Sequence, residues 1–443
     1  MDKRIKKVIE SGSCSGCGAC VALDETKQSR MIDTDYGPTP IFGIDPNFSI
    51  DAGEVCPSIG INYPNLYKYY FGKHPSSWLT GQINSMWTGF ANNHEIREKA
   101  ASGGVITQTL IYLLENKIVD AVIVAKQGMP SPEKARAFIA RTKNEIVQCS
   151  QSIYIPVSML DILRDLDPNE TYAITCLPEQ SASLRALQKK LYKPALQVKY
   201  ILGPYTGTAI YPAAIRCFLR SNNIKDNDKV TSLKWREGKW PGYLEIKTQS
   251  GKVLRSPKVY YNYLIPFFIT QNSLQSMDFV NEFADLAVGD AWSPEFESKK
   301  EGYSVVVART KEIEKIINEM ITYNILSLSE VDPLKASDMH GHMLDFKKRG
   351  GFIRNRLRKL FGIYSPSYGY KPKKIGLSRI LVEIIISLIF RVGKTSIMRW
   401  LISKIPESYI GPIFNRLRLF WKGISRPTKR QGLSEYKVTL GDY

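Results

Sequence analysis

The sequence predicts a mixed α+β and α/β protein in three successive parts. These are a small cysteine-bearing module at 1–63, a central α/β domain with a β-hairpin insertion at 80–345, and a basic helical tail at 346–443. Three observations predict it. Cys14, Cys17 and Cys20 crowd one end of the chain, with Cys56-Pro57 far downstream. From Trp87 onward, short apolar runs alternate with stretches of helical period, the βαβ rhythm of α/β domains. Charge is segregated: of 61 Lys and Arg and 42 Asp and Glu, the segment from Gly341 to Tyr443 holds 22 and 5.

The module is argued from its cysteines. In Cys14-Ser-Gly-Cys17-Gly-Ala-Cys20 the thiols stand three residues apart, with Gly16 and Gly18 between them. This spacing lets three thiolates take three irons of one [4Fe–4S] cube, while the glycines admit backbone amides to the sulfides. Ferredoxin-type runs draw a fourth ligand from a Cys-Pro, and in two-cluster ferredoxins that cysteine serves the other half's cluster. Here Asp24 stands where the first Cys-Pro would be, and the second half, from Phe48 to Pro57, keeps only Cys56-Pro57. Four ligands for one cluster remain, in a shrunken ferredoxin-like module. CxxCxxC is unusual spacing for zinc. Cys149, Cys176 and Cys217 form an odd remainder, which argues against a disulfide framework and for a reducing, cytoplasmic setting. The start, Met-Asp-Lys-Arg-Ile-Lys-Lys, lacks the apolar stretch of a secretory signal.

With 43% hydrophobic residues the chain can bury a sizeable core. A short helix is expected ahead of Cys14, then irregular loops around Tyr36-Gly-Pro-Thr-Pro40, and an aromatic connector from Asn65 to Trp78. In the central domain strands are expected at Trp87–Ala91, Asp120–Lys126, Ala135–Thr142, Thr171–Thr175, Gln197–Leu202, Ala284–Val288 and Tyr303–Thr310. Helices are expected at Gly104–Asn116, Met159–Leu166, Ser181–Leu191, Pro212–Leu219 and Lys311–Ile321. Val230–Lys258, broken by Trp240-Pro-Gly242 and Ser250-Gly251, reads as the hairpin insertion.

Three motifs carry chemistry in this domain. Ala101-Ser102-Gly103-Gly104 precedes an apolar helix, so Ser102 can cap it and the glycines can present its first amides to a phosphate, with Thr107 one turn further on. Trp235-Arg236-Glu-Gly-Lys239-Trp240 sets cations among aromatics, either facing an anionic ligand or forming a solvated turn. Asp290 follows an apolar strand, and strand ends in α/β sheets line ligand crevices. Gly393-Lys394-Thr395 fails as a phosphate loop, because Leu388 occupies the first glycine position. His340 and His342 diverge on a helix and do not suit a metal.

Taken jointly and in order, these segments resemble the beta subunit family of coenzyme F420-reducing hydrogenases and dehydrogenases, which includes 7-hydroxymethyl chlorophyll a reductase. The resemblance spans roughly residues 8–350. It rests on the cysteine triad with Cys56-Pro57, Ala-Ser-Gly-Gly-Val-Ile-Thr107, Gln151-Ser-Ile-Tyr154, Pro178-Glu-Gln180, Gly203-Pro-Tyr205, Trp235-Arg236 and Gly289-Asp-Ala-Trp292. It implies an oxidoreductase in which FAD passes electrons between the cluster and a substrate. Ser102, Gly103, Gly104 and Thr107 would hold FAD phosphate, with Gln180 and Asp290 also on the cofactor. Ser152 and Tyr154 would lie near the flavin and, with Arg236, take part in catalysis. A ferredoxin-like carrier or partner redox subunit would exchange electrons at the cluster. Family members also occur in cell-surface polysaccharide settings, so a non-catalytic electron-transfer or scaffold subunit is the alternative. Where many relatives carry cysteine, this chain has Glu179, Thr206, Ser273 and Ser276, which implies joint loss of a second cluster.

The tail lies beyond the resemblance. Gly351–Phe361 and Ile413–Lys422 mix apolar and basic residues at helical spacing. Ile380–Phe390 is apolar, but it is shorter than the ~20 residues of a membrane span and interrupted by Glu383. Basic amphipathic helices with Trp and Phe suit an anionic membrane surface, such as the inner face of a membrane, or else they cover the body's own surface or a partner subunit. Because the first 340 residues are nearly neutral, the net charge of +19 does not indicate nucleic acid.

Overall fold

The computed structural model describes residues 2–441. After the helix Lys3–Glu10, whose buried Ile5 and Val8 face the cysteines, comes an antiparallel hairpin of β1 (Arg30–Thr34) and β2 (Gly37–Ile41). The Tyr36–Pro40 segment expected as irregular loop is the turn and second strand of this hairpin. Its prolines fit because β2 pairs on one side only. Asp24 bridges to Phe48, joining the two halves of the module. Its carboxylate accepts the amides of Thr26 and Ser29. Burial opposes ionisation there, but hydrogen bonds from Ser29 and Thr26 prevail and hold its pKa down to about 2. The supposed connector is in fact a helix, Tyr63–Phe71, capped by Asn62 and buried through Leu66 and Tyr67.

The strands come in three successive runs, of which the first and third build the large sheet. The first supplies β3 (Ser85–Ala91), β4 (Ala121–Gln127), β5 (Ala135–Ala140), β6 (Tyr172–Thr175) and β7 (Val198–Pro204). The second, β8 (Val230–Glu237), β9 (Tyr243–Thr248) and β10 (Val253–Pro257), forms a separate antiparallel sheet, the expected insertion. The third, β11 (Leu286–Asp290), β12 (Ser304–Ala308) and β13 (Leu326–Glu330), returns to the large sheet. Its order is β13-β3-β12-β11-β7-β6-β4-β5, with β11, β7, β6 and β4 parallel and antiparallel strands at both flanks.

Both faces of this sheet are covered, so its strands read as continuous apolar runs. Along β4, Ala121 and Ile123 enter one core while Val122 and Val124 enter the other. In β12, Val305 and Val307 divide from Val306 and Ala308 in the same way. The helices Val105–Glu115 and Pro178–Lys189 form as expected, but Met159–Leu166 yields only a 3-10 turn at Asp161–Asp165. This turn is tied to the cysteine loop, since the amides of Met159 and Leu160 both donate to the Cys17 carbonyl.

The basic segment is helical over Gly350–Leu360, Leu377–Gly393, Ser396–Ile402 and Glu407–Arg430. Glu383 does not interrupt its helix. It is fully buried and receives Arg354 and Arg379, which also grips Asp345. The segment reaches the cysteine module as well. Ser367 donates to Ile59, the Tyr63 amide donates to Tyr368, and a methyl on Gly60 would collide with the Ser367 carbonyl.

Candidate functional site

Cys14, Cys17, Cys20 and Cys56 line a single cavity walled by Ile5, Val8 and Met31. The loop can only close this way with glycine at its bends. Gly18 sits at φ +89°, and a Cβ there would lie 2.4 Å from Ser158 Oγ. Gly16, at φ +71°, turns its amide onto Cys14 Sγ at 3.4 Å.

Burial pushes all four thiols up, Cys14 to about 12, and neighbouring thiols add to it at Cys14, Cys20 and Cys56, as Asp161 does at Cys17. Cys20 feels Cys17, Cys14 and Cys56, while Cys56 feels Cys17 and Cys14. Backbone amides oppose this shift: Gly16 toward Cys14, Ala19 toward Cys17, Val21 toward Cys20, and Ser58 and Ile59 toward Cys56. A ring of thiols lining one cavity, Cys17 buried and the other three half-buried, with amides aimed at sulfur, suits a polynuclear centre, whose positive charge displaces the protons and whose sulfur ligands accept such bonds. Among the described residues, no group of His, Cys, Asp or Glu converges as the ligands of one metal ion would.

A second cavity, about 30 Å³, adjoins Cys14. Glu179, Thr206 and Ser273, three of the four positions where the resemblance leads one to expect cysteine, line it together with Gln180 and the buried Lys347. Lys347 Nζ donates to Ser276 Oγ, the fourth position, at 3.3 Å. Burial lowers the Lys347 pKa to about 8, against the attraction of Glu179. Gln180 belongs here too. Its Nε2 donates to the Val157 carbonyl at 2.8 Å and its Oε1 accepts the Leu177 amide at 2.9 Å, so both polar ends are engaged.

The other candidates gather at the carboxyl ends of the parallel strands. Asp290 closes β11 and pairs with Ser304, which in turn pairs with Gly89. Ser304 Oγ accepts the Gly103 amide at 3.0 Å and donates to Ser102 Oγ at 3.3 Å. Ser102 does not cap the following helix. Its hydroxyl donates to the Tyr303 carbonyl at 2.6 Å, because the N-cap position falls two residues later on Gly104. Gly104, at φ +78°, offers no side-chain cap, so the first amides of Val105–Glu115 have no side-chain acceptor. Thr107 is half-buried one turn along. Gly103 is held to glycine by packing, since a Cβ would lie 2.6 Å from the Gly89 carbonyl.

Arg236 connects the hairpin insertion to the same sheet end. The reading as a solvated turn holds for the exposed Lys239 but not for Arg236, which is 4% exposed. Its Nη1 donates to Asp290 Oδ2 at 3.0 Å and its Nε to the Pro241 carbonyl at 2.9 Å. Its Nη2 is buried without a partner, as is Trp240 Nε1, and Trp240 lies 4.8 Å from Trp292, ring centre to ring centre. These orphaned donors fit an anionic or carbonyl-bearing ligand.

Tyr154 packs edge-on to Trp235 and is bonded through its hydroxyl by the Lys258 ammonium. Burial would raise the phenol, but Lys258 and Arg236 outweigh it and lower its pKa. Lys258→Met is expected to move Tyr154 ionisation to higher pH, read from phenolate absorbance against Tyr154→Phe. Ser152 is half-buried beside Gln151, which takes φ +88°.

Sequence reasoning missed Lys258 and His340. Lys258 follows the last strand of the insertion, where nothing in its neighbours marks it. His340, dismissed as a metal ligand, is buried against Tyr205 and Phe279, and burial lowers its pKa to about 4 despite the nearby Asp290.

Comparison with known proteins covers this second site. The family model for the N-terminal part of the coenzyme F420 hydrogenase/dehydrogenase beta subunit matches residues 86–164, and that for its C terminus matches 169–333. The coenzyme F420-dependent sulfite reductase of Methanocaldococcus jannaschii is 25% identical over 355 residues, covering 75% of this chain and 50% of that protein. This chain thus spans about half the length of that relative. The coenzyme F420 hydrogenase subunit beta of Methanosarcina barkeri is 21% identical over 252 residues, 55% of this chain and 81% of that one. Among solved structures, a chain of the F420-reducing [NiFe] hydrogenase complex from Methanosarcina barkeri superposes with a TM-score of 0.50 at 19% identity, over 65% of this chain and 96% of that one. With its two models together matching more than half of the residues, the chain belongs to the coenzyme F420 hydrogenase/dehydrogenase beta subunit family.

Proposed function

We propose that the protein is an iron–sulfur flavoprotein oxidoreductase with one [4Fe–4S] cluster on Cys14, Cys17, Cys20 and Cys56 and one FAD at the carboxyl ends of the parallel strands. The observation that carries this reading is the enclosure of all four thiols in one cavity, with backbone amides aimed at sulfur. Joint placement of Glu179, Thr206, Ser273 and Ser276 around Lys347 supports a single cluster, because a buried cation and a carboxylate occupy that region instead of thiols.

The cluster moves single electrons and the flavin two, so the pair joins one-electron delivery to hydride-like chemistry. The chain's own residues hold and orient. The uncapped amides after Gly104, with Ser102, Gly103 and Thr107, suit the cofactor's phosphates. Arg236, fixed by Asp290, offers its free Nη2 to an anionic edge of cofactor or substrate. Tyr154, its phenol made acidic by Lys258 and Arg236, is positioned to hold or pass a proton, with Ser152 nearby. Cys14 and Cys20, each partly exposed, leave a route for a ferredoxin-like carrier or partner redox subunit. The substrate is an organic molecule or an F420-like deazaflavin.

A second reading, an electron-transfer subunit without catalysis of its own, is favoured by the subunit names of relatives such as the hydrogenase subunit beta. Anaerobically purified protein is expected to contain iron, sulfide and a flavin band near ~450 nm. Absence of flavin would remove the FAD assignment. Reoxidation of the reduced flavin by a substrate without added subunits separates the enzyme from the subunit.

A further inference from the structure

We propose that the helices Leu377–Gly393 and Glu407–Arg430 form a docking surface for an anionic membrane. This inference does not depend on the redox reading. The first helix is inverted. It buries Arg379, Glu383 and Gly393 with Ile386 and turns its apolar side chains to solvent. Leu377, Leu381, Ile385, Leu388, Ile389 and Val392, between 40% and 81% exposed, recur at helical spacing within about 120° of arc. In the second helix, Tyr409, Ile413, Leu417, Phe420 and Ile424 form a narrower stripe, each at least 51% exposed. The helices touch each other, and Ser396–Ile402 between them exposes Ile397 and Trp400. Sixteen of the twenty-nine exposed large hydrophobic side chains of the described residues fall within these 54 residues. Clustering on that scale marks an interaction surface rather than ordinary scatter.

Charge selects the occupant. From Leu377 to Arg430 there are eleven Lys and Arg and only two carboxylates, Glu383 and Glu407. Both carboxylates are turned inward. Glu383 is 0% exposed between Arg354 and Arg379, and Glu407 is 9% exposed against Ser256. The outer surface of these helices therefore carries no acid, while Arg391, Lys404, Arg416, Lys422, Arg426 and Arg430 stay exposed around the apolar stripes. Apolar faces of this kind sink to the headgroup boundary, and long basic side chains reach the anionic headgroups. Among the described residues no helix is long and apolar enough to cross a membrane, so contact is parallel to the surface.

Vesicle flotation of the full-length protein tests this. Phosphatidylcholine vesicles with about one-third phosphatidylglycerol are expected to carry at least about tenfold more protein than phosphatidylcholine alone, less so at high salt. Leu388→Glu with Ile389→Glu, and Phe420→Glu with Ile424→Glu, should each lower binding about tenfold or more. Tyr323→Glu, an equally exposed residue elsewhere, should leave it unchanged. Unaltered circular dichroism in these exposed-site variants guards against misfolding. Absence from both vesicle types overturns the proposal in favour of a protein partner. So does a concentration-dependent dimer that the glutamate variants dissolve while flotation persists, and so does equal flotation of all variants.

Discussion

Cys17→Ser is expected to strip the protein of iron and sulfide together, from roughly four irons per chain to none. Cys17 is 7% exposed, and its charge is felt by Cys14, Cys20 and Cys56, so it sits centrally among the four. On the proposed assignment each thiol holds one corner of a single cube. The apolar wall of Ile5, Val8 and Met31 offers no donor, and the hydroxyls of Ser15, Ser58 and the introduced serine are hard oxygens that replace a thiolate poorly. A lost corner is therefore not replaced. The informative comparison is Cys176→Ala. Cys176 is equally buried and close enough for Cys17 to raise its pKa, but it lies outside the cavity of the four. That variant should retain iron, at a stability cost of at most about 2 kcal/mol for a small buried side chain. Iron and sulfide assays with the cluster's visible absorption report both results. Retention of full iron by Cys17→Ser would refute the ligand assignment. Equal loss from Cys176→Ala would show that the effect comes from packing.

This contrast also shows which parts of the molecule the sequence discloses. The cysteine ring was legible because its chemistry is local: three thiols at fixed spacing, glycines between them and a Cys-Pro. The large sheet was legible because both its faces are buried, leaving Ala121–Val124 and Val305–Ala308 as unbroken apolar runs. The second site was legible only in pieces. Ser102-Gly-Gly, Tyr154, Arg236 and Asp290 were each marked by residue type. Their meeting depends on β11 and β12 pairing so that Asp290 faces Ser304, a long-range register that no local pattern states. Lys258 escaped for that reason, since its partner Tyr154 is 104 residues away. The cap assigned to Ser102 failed through a two-residue shift. The hydroxyl found a carbonyl from β12's edge, and Gly104 took the cap.

Glu383 gives the other large effect, because the charge that seemed to spoil an apolar run is what anchors its helix. Arg379, Glu383, Ile386 and Gly393 share one stripe of helical period, and that stripe faces inward. Glu383 Oε2 receives Arg379 Nη2 at 2.7 Å, its Oε1 receives Arg354, and Arg379 Nη2 also reaches Asp345 Oδ2 at 2.7 Å. Breaking one partner of such a buried set strands the others, so Glu383→Ala should destabilise the protein by about 3–5 kcal/mol and lower Tm markedly. Replacing Arg354 and Glu383 together by Met removes both charges, and it should recover part of that loss although Arg379 keeps only Asp345. The sign with pH follows from the same contacts. Burial penalises the carboxylate, but Arg354 and Arg379 overcome it and depress the Glu383 pKa. Its contribution is therefore complete above the ordinary glutamate range and disappears as pH falls through the depressed folded value. The gap in stability between wild type and Glu383→Gln should narrow in acid. A constant gap across that range would mean that Glu383 acts through shape rather than charge.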